Sequence, residues 1–473
     1  VKKDRAAQLL PDLAERWDTP TPTTYIFSLR RGARFHDGPE LTAADVKATF
    51  DAIRDPALKS PKQGSFAQIR EITVIDPYTV RFDLSEPFAP FLLNLTLGIV
   101  PREAADRLGT EFASRPIGTG PFRLHRWEAD ARLELRSHPD YFEGPPRLER
   151  VVYKIIPDPT VRVLELEKGT IDFLQNDIPP DLLPRLERNP RLKVLKEPGT
   201  NYSYVGFNLR DPILQNRAVR RALAHAINRQ DLIAHVLRGL ATPAEGILPP
   251  THWAFAADVP AHAYDPERAG ALLDAADYPS PGGGAPRFRV SLKISQNELQ
   301  KRLAEALQAQ LKAVGVAVTL QSFEWGTFFA HITSGNFQLY TLTWVGVTDP
   351  DIFYYIFHQE SLPPKGANRG HYINTHLSTL IERGRSTLDL AGRTALYRMI
   401  QHTVAEDLPY ISLWFSTNVA AMRADLQGFE LYPAGDLTSL QRAYLDNKRG
   451  EASRHQGTEA SSRRDQTTSS SMP

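Results

Sequence analysis

The densest group of side chains capable of chemistry lies in one short window. Trp325, Tyr340, Trp344, Phe353, Tyr354, Tyr355 and Phe357 share it with Gly346, Asp349, Pro350 and Asp351. Rings beside a turn that carries carboxylates suit the recognition of an amphipathic organic molecule, because they combine apolar area with a few fixed polar groups. Trp344 stands out among them. It ends the strand-like run 339–344, where a glycine-containing loop begins, and ligands of open α/β sheets sit at such strand ends. The same rings could equally fill a core.

Bond-making chemistry has less support. The chain has no phosphate-cradling G-x-x-x-x-G-K-[ST], no H-E-x-x-H zinc pair and no G-x-S-x-G nucleophile elbow. Gly118-Thr-Gly120 runs into Pro121-Phe122-Arg123 where a dinucleotide loop needs its third glycine. His371 and His376, and likewise His225 and His235, are spaced so that a helix would not present both imidazoles on one face. With no cysteine at all, thiolate zinc, iron–sulfur, disulfide and thiol chemistry are excluded together. No cofactor, no metal and no catalytic residue is expected.

The elements that would position the aromatic window follow from periodicity. Tyr25, Phe27 and Leu29 alternate as in a half-buried strand, and Thr42 to Asp45 reads as a capping-box start to a helix carrying Val46, Phe50 and Ile53. Ile72 and Val74, then Asp76-Pro77, then Tyr78 to Leu84, predict a hairpin. From about residue 150 the pattern turns to alternating helix and strand. Asp158 caps a helix with Pro159 at its first position, and Gly169 ends it. Leu299, Leu303, Leu307, Leu311 and Val314 form an apolar stripe closed by Gly315 and followed by the strand 316–320, the unit of an open α/β sheet. Residues 278–286 read as an exposed loop, and 446–473 as a disordered tail too polar to bury a core.

At 473 residues the chain is long enough for two or three lobes. Its formal charge of +1 argues against nucleic acid as a partner, which would need a concentrated cationic surface. No apolar run approaches the roughly 20 residues that span a bilayer. The first residues carry no export signal and read like the interior of a domain, so the N-terminus is expected to be incomplete.

Five ordered blocks resemble the extracellular solute-binding proteins that serve peptide- and nickel-type ABC importers. They are Leu13-Ala-Glu-Arg-Trp17 with Tyr25-Ile-Phe27, Leu29 to Gly38 and Leu41 to Val46; Pro116 to Phe122 with Trp127 and His138 to Phe142; Phe207-Asn208-Leu209 with Asn216 to Asn228; Trp344 to Asp351; and Asn368-Arg369-Gly370 with Tyr372 and Asn374. The resemblance implies an α/β, two-lobed periplasmic-binding-protein fold with a hinge and an added β-rich subdomain, at about 10–115, on the first lobe. Lobe one is then 1–239, lobe two 240–410, and 411–445 a return to lobe one, with hinge crossings near 236–239 and 409–413. It also implies a solute held between the lobes and handed to membrane permease subunits, a monomer, and a periplasmic or cell-surface location. A ligand-sensing module and, more distantly, a hydrolase on a similar scaffold are the alternatives.

The expected ligand-binding set is Trp344, Gly346, Val347, Asp349, Arg369, Asn208, Tyr204 and Trp325. In peptide binders of this family a W-x-x-D pattern pairs its aspartate with the ligand's amino group, and the matching position here is Val347. Either Asp349 takes that role or the ligand has no free amino terminus. Arg369, with its bidentate fork, is a candidate for a ligand carboxylate.

Overall fold

The computed structural model describes residues 1–446, so the expected tail, Asp446 apart, lies outside the described residues. Ala14–Thr21 (β1), Thr24–Leu29 (β2), Ile69–Asp76 (β3) and Thr79–Leu84 (β4) form an antiparallel sheet in the order β1-β2-β4-β3. Tyr25, Phe27 and Leu29 point inward, as their alternation requires, and Phe27 and Phe50 each meet Phe82 edge to face. Phe50 comes from Ala43–Arg54 (α1), whose start is fixed by the Thr42 N–H donating to the Asp45 carboxylate at 3.0 Å. Phe122–Glu128 (β5), Arg132–Ser137 (β6) and Arg150–Lys154 (β7) add a three-stranded meander. Pro159–Lys168 (α2) has Asp158 as its N-cap and Gly169 at φ +79° as its stop.

Apart from two short two-stranded ladders, Lys2–Lys3 with Leu9–Leu10 and Leu426–Gln427 with Tyr444–Leu445, the remaining strands build one sheet. Phe173–Gln175 (β8) and the long Leu192–Phe207 (β9) precede the helices Arg217–His225 (α3) and Arg229–His235 (α4). Ala241–Pro243 (β10), Pro266–Ala275 (α5), Phe288–Ser295 (β11), Glu298–Ala313 (α6) and Val316–Phe323 (β12) follow. Then come Trp325–Thr333 (α7), Leu339–Trp344 (β13), Ile352–Phe357 (α8), Thr375–Ser386 (α9), Leu390–Asp407 (α10) and Tyr410–Arg423 (β14). The strand order is β8-β14-β9-β13-β11-β12, with β10 also on β14. On α6 the stripe Leu303, Leu307 and Leu311 is buried against this sheet.

β9 and β14 run antiparallel through both lobes. Leu192 to Pro198 pairs with Arg423 to Thr417 in the first lobe, over a core of Val163, Leu166, Leu186 and Val419. Asn201 to Gly206 pairs with Ser416 to Tyr410 in the second, and also with β13. The register breaks between Pro198 and Asn201. Pro198 has no N–H to give the ladder, and a Cβ on Gly199 would run into the Ser416 carbonyl oxygen.

We propose a division of the lobes that differs from the expected boundaries at 239 and 410, on the pairing of β9 with β14. The chain enters the second lobe inside β9, well before residue 239, and returns inside β14 after Ser416 rather than at 409–413. The physical reason is packing. α3 and α4 bury Val219, Leu223, Leu232 and Ile233 against Leu292 and Leu307, so 201–239 belongs to the core of lobe two.

Candidate functional site

The end of β13 is fastened to this crossing. Trp344 pairs in register with Tyr202, the Gly346 N–H donates to Asn201 Oδ1 at 2.9 Å, and the Val347 N–H donates to the Thr200 carbonyl at 3.2 Å. Thr200 in turn donates its N–H to the Pro433 carbonyl of the first lobe at 2.9 Å. Gly346 has φ +65°, a left-handed turn that glycine adopts without a Cβ penalty. The loop that follows Trp344 therefore reads the position of the hinge directly.

An aromatic chamber stands on the same face of the sheet. Tyr204 stacks on Tyr410 at 4.0 Å and lies parallel to Trp344 at 6.3 Å, while Tyr340 meets Tyr204 edge to face at 5.7 Å. Tyr355, half exposed, approaches the edge of Trp344 at 6.0 Å. Burial pushes the phenols of Tyr204 and Tyr410 well above their ordinary range, so both are neutral donors at physiological pH.

Arg369 sits among these rings, only 6% exposed, with its guanidinium 5.1 Å from the Trp344 ring and 5.2 Å from the Phe329 ring. Among the described residues no carboxylate lies within salt-bridge reach of it. Its Nη1 and the indole Nε1 of Trp344 are both buried without a protein acceptor. Cation–π contacts offset only part of the cost of burying such a charge. A buried cation beside a second orphan donor is built to receive something.

The other expected residues divide. Trp325 is exposed at the start of α7, stacked on Phe329 at 5.7 Å, and so forms the outer rim beside Arg369. Val347 is 4% exposed and packs within the core of lobe two. Asn208 stands apart from the chamber, tying a turn: its amide donates to the carbonyls of Phe337 at 2.9 Å and Gly335 at 3.2 Å. Tyr410, Phe329 and Arg385 were not expected here. A small cavity deeper in the second lobe, lined by Tyr202, Glu245, His262, Phe357 and Ser412, lies behind Tyr410 and away from Arg369.

Asp351 anchors an arginine that touches the first lobe, and Asp349 braces the turn before it. Arg385 pairs with Asp351 at 2.8 Å, lies over Tyr354 at 3.6 Å and over Phe88 of the first lobe at 4.8 Å, and its carbonyl accepts the Ala89 N–H at 2.7 Å. Asp181 of lobe one meets Arg238 at 2.8 Å and Arg302 at 3.1 Å from lobe two. Asp349 accepts the Asp351 N–H at 2.7 Å. Burial, then the charge of Asp351, push the Asp349 carboxyl up to about 6, against the pull of Arg393 and Lys3.

A carboxyl raised in the folded state stabilises the protein below its unfolded value near 4, and that contribution is lost as pH rises through about 6. His252 and His262, both lowered to about 4 by burial, act in the opposite sense, losing stability as pH falls from 6.5. They cancel when two variants are compared. Asp349→Asn keeps the oxygen that accepts the Asp351 N–H and should gain about 2–3 kcal/mol relative to wild type between pH 4 and pH 7. Urea midpoints of both proteins across that range give the difference; parallel curves would contradict it.

The family model for bacterial extracellular solute-binding proteins, family 5, matches residues 8–361. The dipeptide-binding protein of Escherichia coli K12 is 30% identical over 455 residues, covering 90% of this chain and 85% of its relative. Di/tripeptide-binding protein 2 of Pseudomonas aeruginosa UCBPP-PA14 is 32% identical over 461 residues, with coverage of 90% and 85%. Among solved structures, the oligopeptide-binding protein AppA from Bacillus subtilis in complex with a nonapeptide superposes with a TM-score of 0.85. It is 28% identical and is covered over 94% of this chain and 92% of its own.

Proposed function

This chain belongs to the bacterial extracellular solute-binding proteins of family 5 and is a solute-binding component of an ABC importer; we propose that it captures a short peptide or a similar small amphipathic solute at the Arg369–Trp344 chamber. The observation that carries the reading is the buried, carboxylate-free Arg369 with its orphan donor, at the point where β9 crosses between the lobes. The related peptide-binding proteins support the class of solute.

Ligand binding shifts the lobes toward closure only if the closed form holds the solute more tightly. The geometry supplies that difference. The loop 345–351 joins the chamber to Asn201 and Thr200 at the hinge, and to Arg385, which touches Phe88 and Ala89 across the cleft. Solute, hinge and closing contact thus share one segment. The protein acts as a monomer outside the cytoplasmic membrane, delivering its closed form to permease subunits. Among the described residues no helix is long and apolar enough to cross a membrane.

Native mass spectrometry of purified protein tests the reading. A non-covalent adduct of small-molecule mass is expected, lost in Arg369→Met and recovered chemically unchanged on denaturation. A protein that carries no adduct and takes up none from a cell extract would refute it, and a turned-over molecule would favour the hydrolase alternative.

A further inference from the structure

The charge balance of the chamber goes further and names a property of the ligand; this step rests on the solute-binding reading above. Arg369 and Trp344 offer N–H donors and have no acceptor capacity of their own. Both orphan donors lie together, with the Arg369 guanidinium 5.1 Å from the Trp344 ring. A partner for them must present acceptor oxygens, and burial of the guanidinium calls for a negative charge on those oxygens.

Among the described residues no acid pairs with Arg369, and the acids on the neighbouring elements have partners elsewhere. Asp351 is held by Arg385 at 2.8 Å, and Glu382 by His358 at 3.1 Å. Asp407 accepts from the Tyr372 hydroxyl at 2.6 Å and from Asn374 at 2.9 Å, and Glu245 pairs with Arg229 at 3.0 Å. Asp349 is engaged by the Asp351 N–H at 2.7 Å. At the loop position where peptide binders of the family carry their aspartate, Val347 is 4% exposed and packed in the core, so position 347 offers no acid. An ammonium entering this chamber would share the field of Arg369 with only neutral rings and phenols around it.

We propose that the ligand binds as a net anion, setting a carboxylate against Arg369 and Trp344 and bringing no free ammonium into the chamber. Two sources share this chemistry: peptides blocked at their amino end, and amine-free carboxylic acids.

Three matched dipeptide libraries distinguish the possibilities: free, N-acetylated, and N-acetylated with a C-terminal amide. 3-Phenylpropanoate serves as the amine-free acid without a peptide group. Each is offered to the intact protein in competition and read by native mass spectrometry. Acetylated acids, or 3-phenylpropanoate if the peptide group is dispensable, are expected to exceed free dipeptides by at least about tenfold, as expected for a buried charge left unpaired. The amides should not bind. Trp344→Phe keeps the ring beside Tyr204 but removes the indole N–H, and should lower uptake of the acids by roughly fivefold. Preference for free dipeptides, or equal binding of amides and acids, overturns the proposal. So does failure of all four probes; in that case an adduct on the protein as purified leaves the solute-binding reading intact.

Discussion

Arg369→Met should abolish solute capture and, in the same protein, raise the melting temperature of the unliganded form. Arg369 is 6% exposed and its contacts are cation–π contacts with Trp344 and Phe329 at 5.1 and 5.2 Å. Those contacts are worth about 0.5–2 kcal/mol, whereas exchange of buried charge for an apolar side chain of similar length is neutral or stabilising by about 1–4 kcal/mol. Methionine also adapts to irregular space between rings. Affinity should fall at least roughly a hundredfold, because the ligand's anion would then be buried without its partner. Opposite signs of the two effects are the diagnostic. Scanning calorimetry without ligand and titration with it separate them; a variant that loses both stability and binding would mean that Arg369 is a structural residue.

The second large effect is expected at Gly206. In register it faces Tyr340 on β13 and Tyr410 on β14, and the two tyrosines cover the strand where glycine leaves it bare. A Cβ built there would stand 2.5 Å from Cζ of Tyr340. Tyr340 is fully buried, and Phe337 meets its ring at 4.7 Å, so the ring has no room to yield. Gly206→Ala should therefore cost about 2–3 kcal/mol by overpacking. It should also weaken ligand binding, since the displaced ring is the one set against Tyr204. Denaturant midpoints and the near-ultraviolet circular dichroism of the tyrosines provide the check. An unchanged midpoint would show that β9 and β13 part more easily than their pairing suggests.

Much of this was legible in the chain, and the rest was not, for identifiable reasons. The α6 stripe and the Asp158–Gly169 helix are local signals, and each appears as its residues require. Trp344 was visible as a strand end and does meet Arg369, because strand termination is also local. Tyr410 could not be foreseen. It reaches Tyr204 only through a pairing that joins segments some two hundred residues apart in sequence, which no periodicity encodes. Asn208 is a polar residue at a strand end, and its amide donates to two backbone carbonyls, a long-range pairing that the sequence does not display. Pro198 and Gly199 mark a register break within a strand that periodicity alone reads as continuous. Helices α3 and α4 carry no local mark of which core they join.

The first lobe opens the chain but is not completed by its opening stretch. Its sheet needs Thr417 to Arg423 beside Leu192 to Pro198, and Val419 and Ala421 lie in its core. The second lobe, drawn from the residues between, can assemble as soon as Ser416 is available. Folding order is thereby set against synthesis order: the lobe made first is closed last, by a strand arriving near the end of the described chain. Bringing those ends together carries the loop-closure entropy of the whole second lobe, and a second lobe already folded shortens that loop. Substitutions that slow the second lobe should then delay the first as well, even where they touch none of its residues.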